Sequence, residues 1–487
     1  MRLTATFLLT VIASTALAGP YIPAGDTMLR SDIQRLADAG VITGPVTSWP
    51  LAWGPVLEAL NDADLSREPP TVVDAVRRVQ RRADWETRTE EPTFNAELGV
   101  SHNRSRIRSF QNTPRGRAEA QVGVNWTGDT FGADVNVQVV DANDDTQELR
   151  ADDSLVGFVF GNWSFAASTQ NRWWGPGWDG SLILSNDARP FPALAIDRVF
   201  TDAPGSKWLH WIGPWDFTVL FGQLEKDRAV PNARFFGMRF VFRPLRSLEI
   251  GLTRTALWCG DGRPCGLKTF GNLLVGKDNR GGGGINRSNE PGDQLAGLDF
   301  RWSRVLGAPV GVYGQFIGED EASGLPSRFI GLMGVDWSTT LFGDWSTRFY
   351  AEYAGTAAQF LSTDKRYNYA YNHGIYRTGY RYRGHVIGHG ADNDSKLVSL
   401  GVVLVNASET QWRALVRTGT LNDGGPPDTH NSLTPTPQDI ASVDVAYSRP
   451  FRFGVIEAGV GYEKLDDVVS GESDGTTRFY LQWRSSY

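Results

Sequence analysis

Residues 366–385 interleave two kinds of side chain. Tyr367, Tyr369, Tyr371, Tyr376, Tyr380 and Tyr382 alternate with Arg366, Arg377, Arg381, Arg383, His373 and His385. Tyrosine offers a flat amphipathic face at small entropic cost, on which sugar C–H groups can stack. Arginine offers a planar fork that grips a carboxylate such as that of a uronate. The same composition also suits a loop packed over a barrel mouth, or an interfacial girdle, and these readings stand side by side. A second concentration is Trp173-Trp174-Gly175-Pro176-Gly177-Trp178-Asp179-Gly180. Its glycines and proline set a tight turn that presents three indoles and a carboxylate, either to a ligand or as a structural plug.

The remaining reactive types give less. Cys259 and Cys265 flank Gly-Asp-Gly-Arg-Pro and are the only cysteines. In a secreted chain that pattern predicts a local disulfide, worth roughly 2 kcal/mol for so short a loop. Glu319-Asp320-Glu321 is an acidic cluster, and paired carboxylates can hydrolyse glycosides or hold calcium. Consecutive side chains diverge, however, and no calcium-loop spacing follows. His102, His210, His373, His385, His389 and His430 come with neither a G-x-S-x-G elbow nor an H-E-x-x-H motif. Lys277-Asp278-Asn279, followed by Gly281 to Gly284, lacks the spacing of a phosphate cradle. The sequence therefore assigns no catalytic residue, no metal and no cofactor.

The elements that carry these residues follow from periodicity. Of the 487 residues 41% are hydrophobic, and 54 are Gly and 17 Trp. Beyond the extreme N-terminus nothing approaches the ~20 apolar residues of a spanning helix. The formal net charge of −7 argues against nucleic acid as a partner. Arg2, the apolar run 3–12 and Ala16-Leu17-Ala18 predict a cleaved secretory signal over 1–18. Residues 19–92 read as a small helical bundle. Asp26 or Thr27 caps a helix with Leu29, Ile33, Leu36 and Ala37 on one face, ended by Gly40. Val56, Leu57 and Leu60 mark a second helix, and Val72, Val73, Val76 and Val79 a third, whose other face carries Arg77, Arg78, Arg81 and Arg82. That face is expected to be solvated, or to meet anionic head groups or a partner.

From Thr93 the period becomes two. Phe94, Ala96, Leu98 and Val100 alternate with polar residues or glycine, as do Val122, Val124 and Trp126, then Val135, Val137 and Val139. The pattern recurs to Phe479, Leu481 and Trp483, and the chain ends in Tyr487. Strands of about ten residues with one apolar and one charged face are the mark of an outer-membrane β-barrel. Links between strands are alternately short and long, and the tally is roughly eighteen strands. The fold expected is an antiparallel transmembrane barrel over 93–487. Its long loops face outward, with the helical bundle on the periplasmic side, packed against the inner rim. Trp208, Trp211 and Trp215 fall at the periplasmic end, where an aromatic belt is expected.

An ordered set of motifs carries a resemblance. LRSDIQRLADAGVI and TSWPL are followed by WWGPGWDGSLI, WIGPW, DGRP, GKDN, NEPGDQLAGLDFRW, YGQFIGEDE and NYAYNHGIYRTGY, between about residues 29 and 380. In this order they resemble the capsule assembly Wzi family. The resemblance implies an eighteen-stranded barrel with a periplasmic bundle and a lectin-like role in holding exported polysaccharide. Its partners would be that surface polysaccharide, outer-membrane lipid and lipopolysaccharide, and the barrel assembly machinery, with the protein acting as a monomer. The residues expected to bind sugar are Tyr367, Tyr369, Tyr371, His373, Tyr376, Arg377, Tyr380 and Arg381, then Trp173, Trp174, Trp178 and Asp179. A channel is the other reading, because Glu119, Asp134, Asp299, Arg301 and Arg413 fall on the inward face.

Overall fold

The structure is a computed structural model. It describes residues 21–89, 91–142, 145–274, 292–322, 325–424 and 431–485. The expected signal segment, the Lys277–Gly284 loop, His430 and Tyr487 lie outside the described residues, as do the side chains of Asp320 and Glu321.

Eighteen antiparallel strands close into a barrel. They are β1 (Thr93–His102), β2 (Ala118–Thr127), β3 (Phe131–Asp141), β4 (Leu155–Phe160), β5 (Trp163–Ser168), β6 (Ala193–Arg198), β7 (Trp215–Gln223), β8 (Arg234–Leu245) and β9 (Leu248–Trp258). The circuit continues with β10 (Gly292–Trp302), β11 (Val310–Gly318), β12 (Ile330–Leu341), β13 (Trp345–Gly355), β14 (Lys396–Val405), β15 (Gln411–Leu421), β16 (Gln438–Phe451), β17 (Gly454–Asp467) and β18 (Ser473–Arg484). β18 pairs back onto β1, with Leu481 opposite Val100, so no edge is left open. A two-residue segment, Leu149–Arg150, bridges β3 and β4.

Alternation produces this wall directly. Val122, Val137, Val139, Leu252, Leu400, Val460 and Leu481 are exposed and face outward as the apolar band. Their polar neighbours point into the lumen. The single strand expected within 193–212 is β6. The link that follows it, 199–214, is long although it lies on the short-turn side, and a 3-10 turn (His210–Ile212) folds it. Trp208 and Trp211 there are 89% and 63% exposed, which suits the interface.

Among the described residues four helices accompany the barrel: α1 (Thr27–Ala39), α2 (Trp53–Asn61), α3 (Pro70–Glu86) and α4 (Leu267–Leu274). Asp26 caps α1 by accepting from the Leu29 N–H at 3.0 Å, and Gly40 ends it at φ +84°, a conformation that glycine adopts without strain. Ile33 and Leu36 share a core with Val72, Val76 and Val79 of α3. Rim packing describes only part of this arrangement, because the polar side of α1 is buried too. Arg30, Ser31, Asp32 and Arg35 are all enclosed, since α1 enters the helix-side end of the lumen. The arginine face of α3 is likewise only partly solvated. Arg78 is buried on Asp32 at 2.7 Å, and Arg81 reaches Glu409 on the β14–β15 turn at 2.5 Å.

Candidate functional site

The inward face of the wall is charged, and much of that charge is engaged inside the barrel. Arg239 forks Asp299 at 2.6 and 2.9 Å and also meets the Thr47 hydroxyl at 3.1 Å. Glu249 accepts from the N–H groups of Val46 and Thr47. Arg243 donates to the carbonyls of Ile42 and Gly44, each at 3.0 Å. Arg301 and Arg348 share Asp336, and both reach Asp38 of α1. Arg413 pairs with Glu457 at 2.5 Å. Buried charge is tolerable only when paired and hydrogen-bonded. Of the lumenal charges read as a channel lining, Asp299, Arg301 and Arg413 are thus occupied in ion pairs that hold the N-terminal segment or the wall, whereas Glu119 accepts the Arg115 N–H and Asp134 the Asn136 side-chain amide, each at 2.9 Å.

The tryptophan turn lies in the same interior. Glu352 of β13 accepts from the N–H groups of Trp178, Asp179 (3.0 Å) and Gly180 (3.2 Å), and takes the Tyr313 hydroxyl at 2.8 Å. Gln315 of β11 accepts the Leu182 N–H at 2.7 Å and donates to the Trp174 carbonyl at 2.8 Å. Asp179 is clasped by Arg417 at 2.6 and 2.9 Å and by Ser399 at 2.5 Å. Burial alone would raise its carboxyl pKa, but the Arg417 charge and these bonds hold it below the usual range. Arg30 of α1 stacks over Trp178 at 4.5 Å and donates to the carbonyls of Pro176 and Gly177. Trp173, Trp174 and Trp178 are all buried. Gly180 admits no side chain, since a Cβ would fall 2.1 Å from the His389 ring.

The tyrosine segment also turns inward. Tyr371, Tyr376 and Tyr380 are 0%, 1% and 1% exposed. Their hydroxyls donate to the carbonyls of Leu182 (2.7 Å), Cys259 (3.0 Å) and Ile183 (2.9 Å). Arg381 forks Asp392 at 2.7 and 2.8 Å and is buried with it. The expectation that these residues present free faces to a sugar is corrected here. Aromatic rings with a hydrogen-bonding tip fill a wide lumen as well as they coat a ligand platform, and the two candidate segments fill it together. Cys259 and Cys265 are joined in a disulfide, with Cα atoms 4.7 Å apart, beside the Tyr376 contact.

Four of the nominated residues stay near the outer surface. Tyr367 donates to Asp423 at 3.3 Å. Tyr369 takes Arg328 at 2.8 Å and lies 4.5 Å from the Arg366 guanidinium, measured to its ring centre. His373 accepts from the Tyr376 N–H at 3.2 Å, and Arg377 is exposed.

The outer mouth holds a cleft that the residue patterns did not single out. It encloses about 720 Å³ among the links β1–β2, β3–β4 and β13–β14 and the upper ends of β17 and β18. Eight of its lining side chains are arginine and two are acidic, Asp145 and Glu463. Arg106 pairs with Glu463 at 3.1 Å, while Arg189 and Arg383 share Asp145 at 2.7 and 3.0 Å. Arg115 instead donates to three backbone carbonyls, among them Asn186 at 2.8 Å. Arg108 donates to the Thr113 carbonyl at 2.6 Å, and burial, with Arg115 nearby, lowers its pKa to about 9. The signal was present in the sequence, where Arg104, Arg106, Arg108, Arg115 and Arg117 crowd one loop.

Comparison with known proteins adds a family. The model described as capsule assembly protein Wzi matches residues 88–477. A 55.8 kDa protein from the cps region of Klebsiella pneumoniae is 34% identical over 322 residues, which are 64% of this chain and 60% of that protein. The match thus spans less than two thirds of that relative. The solved structure of Wzi from Escherichia coli superposes with a TM-score of 0.84 at 25% identity, covering 96% of this chain and 100% of that one. That protein is described as a carbohydrate-binding outer-membrane β-barrel involved in group 1 capsule assembly.

Proposed function

The chain belongs to the capsule assembly Wzi family, and from that premise we propose that it binds exported capsular polysaccharide or exopolysaccharide and anchors it at the cell surface without catalysing a reaction. It is an outer-membrane β-barrel. The observation that carries the reading is the division of the molecule into a lumen packed with its own side chains and an outer mouth with an open, polar cleft. A packed lumen suits a holder rather than a conduit.

In this arrangement the helical bundle, 19–92, faces the periplasm. The apolar band contacts outer-membrane lipid and lipopolysaccharide, the barrel assembly machinery inserts the chain, and it acts as a monomer. Sugar contacts come from the rim residues Tyr367, Tyr369, His373 and Arg377 together with the cleft. Deleting the gene and measuring polysaccharide on cells and in the medium tests the reading. Release into the medium is expected, and full retention on the deletion strain would overturn it.

A further inference from the structure

The lipid-facing side of the barrel is not uniform. β4, β5 and β6 have six residues each, against the 9–11 of an ordinary spanning strand, so the wall is notched at their outer ends. Outside the notch lies a groove of about 570 Å³. Val156, Ala167, Leu194 and Phe221 are paired neighbours across β4–β7 and form its exposed apolar floor. Helix α4 stands beside this floor, on the outside of the wall. The Cys259–Cys265 disulfide closes the reversal that turns the chain from the top of β9 back along this face. Phe270 packs on the outward rings of Phe221, Phe236 and Trp258, with centres 5.9, 5.2 and 4.8 Å away, and Leu273 is fully buried. Arg254 shares the outward phase of β9 with Leu252 and Ala256. It donates to the carbonyls of Leu273 at 2.8 Å and Leu274 at 3.0 Å, which ends the helix and covers a guanidinium that is costly among acyl chains. The far side of α4 exposes Leu267 and Lys268, as befits a helix lying at a membrane interface.

Two donors stand at the outer lip of the groove. Arg234, opposite Gln223 and Trp258 in the strand register, is the one charged side chain of the lining. It is exposed, its guanidinium lies 5.7 Å from the Trp258 ring centre, and among the described residues no ion pair reaches it. Carboxylates on the neighbouring links are engaged elsewhere: Asp152 with Arg189, Asp153 with Asn171, Glu225 with Arg228, and Asp261 with Asn232. Asp227, exposed on the β7–β8 link, makes no ion pair with it either. Trp258 is 7% exposed, and its indole N–H is buried without an acceptor among the described residues. A buried donor left unmade is costly, and here it sits beside an unanswered cation. An apolar floor that ends in a guanidinium and an indole N–H, at the outer edge of the bilayer, matches an acyl chain that ends near a phosphate. We propose that the groove holds one lipopolysaccharide molecule of the outer leaflet. An acyl chain lies along the floor against α4, and a lipid A phosphate meets Arg234 and the Trp258 N–H. Arginine suits this role because its fork matches phosphate with two parallel hydrogen bonds. The site is separate from the lumen and the mouth, and it requires only that this rim of the barrel face outward.

The test uses the full-length barrel, purified in detergent and freed of lipopolysaccharide, with retained lipid counted by native mass spectrometry. The probes are deep-rough lipopolysaccharide, the same lipid with its phosphates removed, and phosphatidylglycerol. One deep-rough molecule per barrel should be retained. The dephosphorylated lipid should be held at least about tenfold more weakly, the loss expected for one charge-assisted contact. Arg234→Gln should reproduce that loss, and Trp258→Phe, which keeps a ring but removes the N–H, should weaken retention in the same direction. Arg246→Gln, exposed on the opposite rim, should change nothing. Equal retention of the two forms of the lipid, or full retention by Arg234→Gln, would overturn the proposal. Equal retention of phosphatidylglycerol would also overturn it, by reducing the groove to ordinary lipid contact. Displacement of the lipid by inorganic phosphate would do the same, by making this a site for a free anion. Heat-modifiable gel migration checks that the variants are folded, and the comparison of lipids needs only the wild type. Polysaccharide release from the deletion strain reads a different face of the barrel, so either reading can fail while the other stands.

Discussion

The Tyr371 hydroxyl donates to the Leu182 carbonyl at 2.7 Å, a bond that joins the tyrosine-rich and tryptophan-rich segments across the middle of the barrel. Tyr380 repeats the contact one residue along, at Ile183. The two stretches of sequence best suited to bind an external sugar therefore bind each other, and their joint role is to close the lumen.

Arg381→Ala should destabilise the protein by about 3–5 kcal/mol, because it leaves the Asp392 carboxylate buried without its partner. Thermal unfolding followed by heat-modifiable migration reads the change. A shift no larger than that of an exposed control such as Arg377→Ala would show that the pair does not brace the plug.

Planar-bilayer recordings of the pure wild type should be silent. Glu352→Ala removes the acceptor for three consecutive N–H groups of the tryptophan turn, and it should introduce intermittent conductance. Steady open-pore currents from the wild type would contradict the packed lumen.

Burial depresses the His389 pKa to about 4, although Asp179 opposes the shift. The neutral ring accepts the Ala391 N–H at Nδ1, at 3.1 Å. An unfolded histidine titrates near 6.5, so between that value and about 4 the unfolded state holds the extra proton. Stability contributed by His389 is thus complete above pH ~6.5 and is lost as pH falls towards about 4, by up to about 3 kcal/mol. Asp153 has the opposite slope, since burial raises its carboxyl pKa to about 7. The measurement is therefore the difference between wild type and His389→Gln across pH 4–7. A difference that does not change with pH would refute the assignment.

Protease added to intact cells should spare residues 21–92, whereas permeabilised cells should be cut there. Cleavage of the bundle on intact cells would invert the barrel and move the arginine cleft to the periplasm.

The wall was legible in the sequence because a strand with lipid on one side and polar groups on the other must alternate, and Val135, Val137 and Val139 do so without interruption. Cap and stop of α1, at Asp26 and Gly40, were legible for equally local reasons. The direction taken by Tyr371, Tyr376 and Tyr380 was not. Composition describes what a ring can do but not which partner reaches it, and here the partners are carbonyls 117–197 residues away in sequence. Glu352 and Gln315 had no local signal either, since a lumenal carboxylate that holds a turn has the same strand phase as one that faces water. The arginine crowd at 104–117 was local and readable, yet its meaning depends on Asp145, Arg189 and Arg383, which only the closed barrel brings beside it.

Asp38 of α1 meets guanidiniums that lie 263 and 310 residues further along the chain, and this sets an order on assembly. The first helix leaves the export machinery long before Arg301 and Arg348 exist as a surface, so it cannot template the wall. The wall has to form while its inner carboxylates and guanidiniums are still hydrated. The interior is therefore a last act of folding, in which water is expelled as the N-terminal helix and the two aromatic loops arrive. A barrel interrupted before that step would be closed in the membrane plane and wet along its axis, a leaky intermediate that the cell must pass through or shield each time it makes this protein.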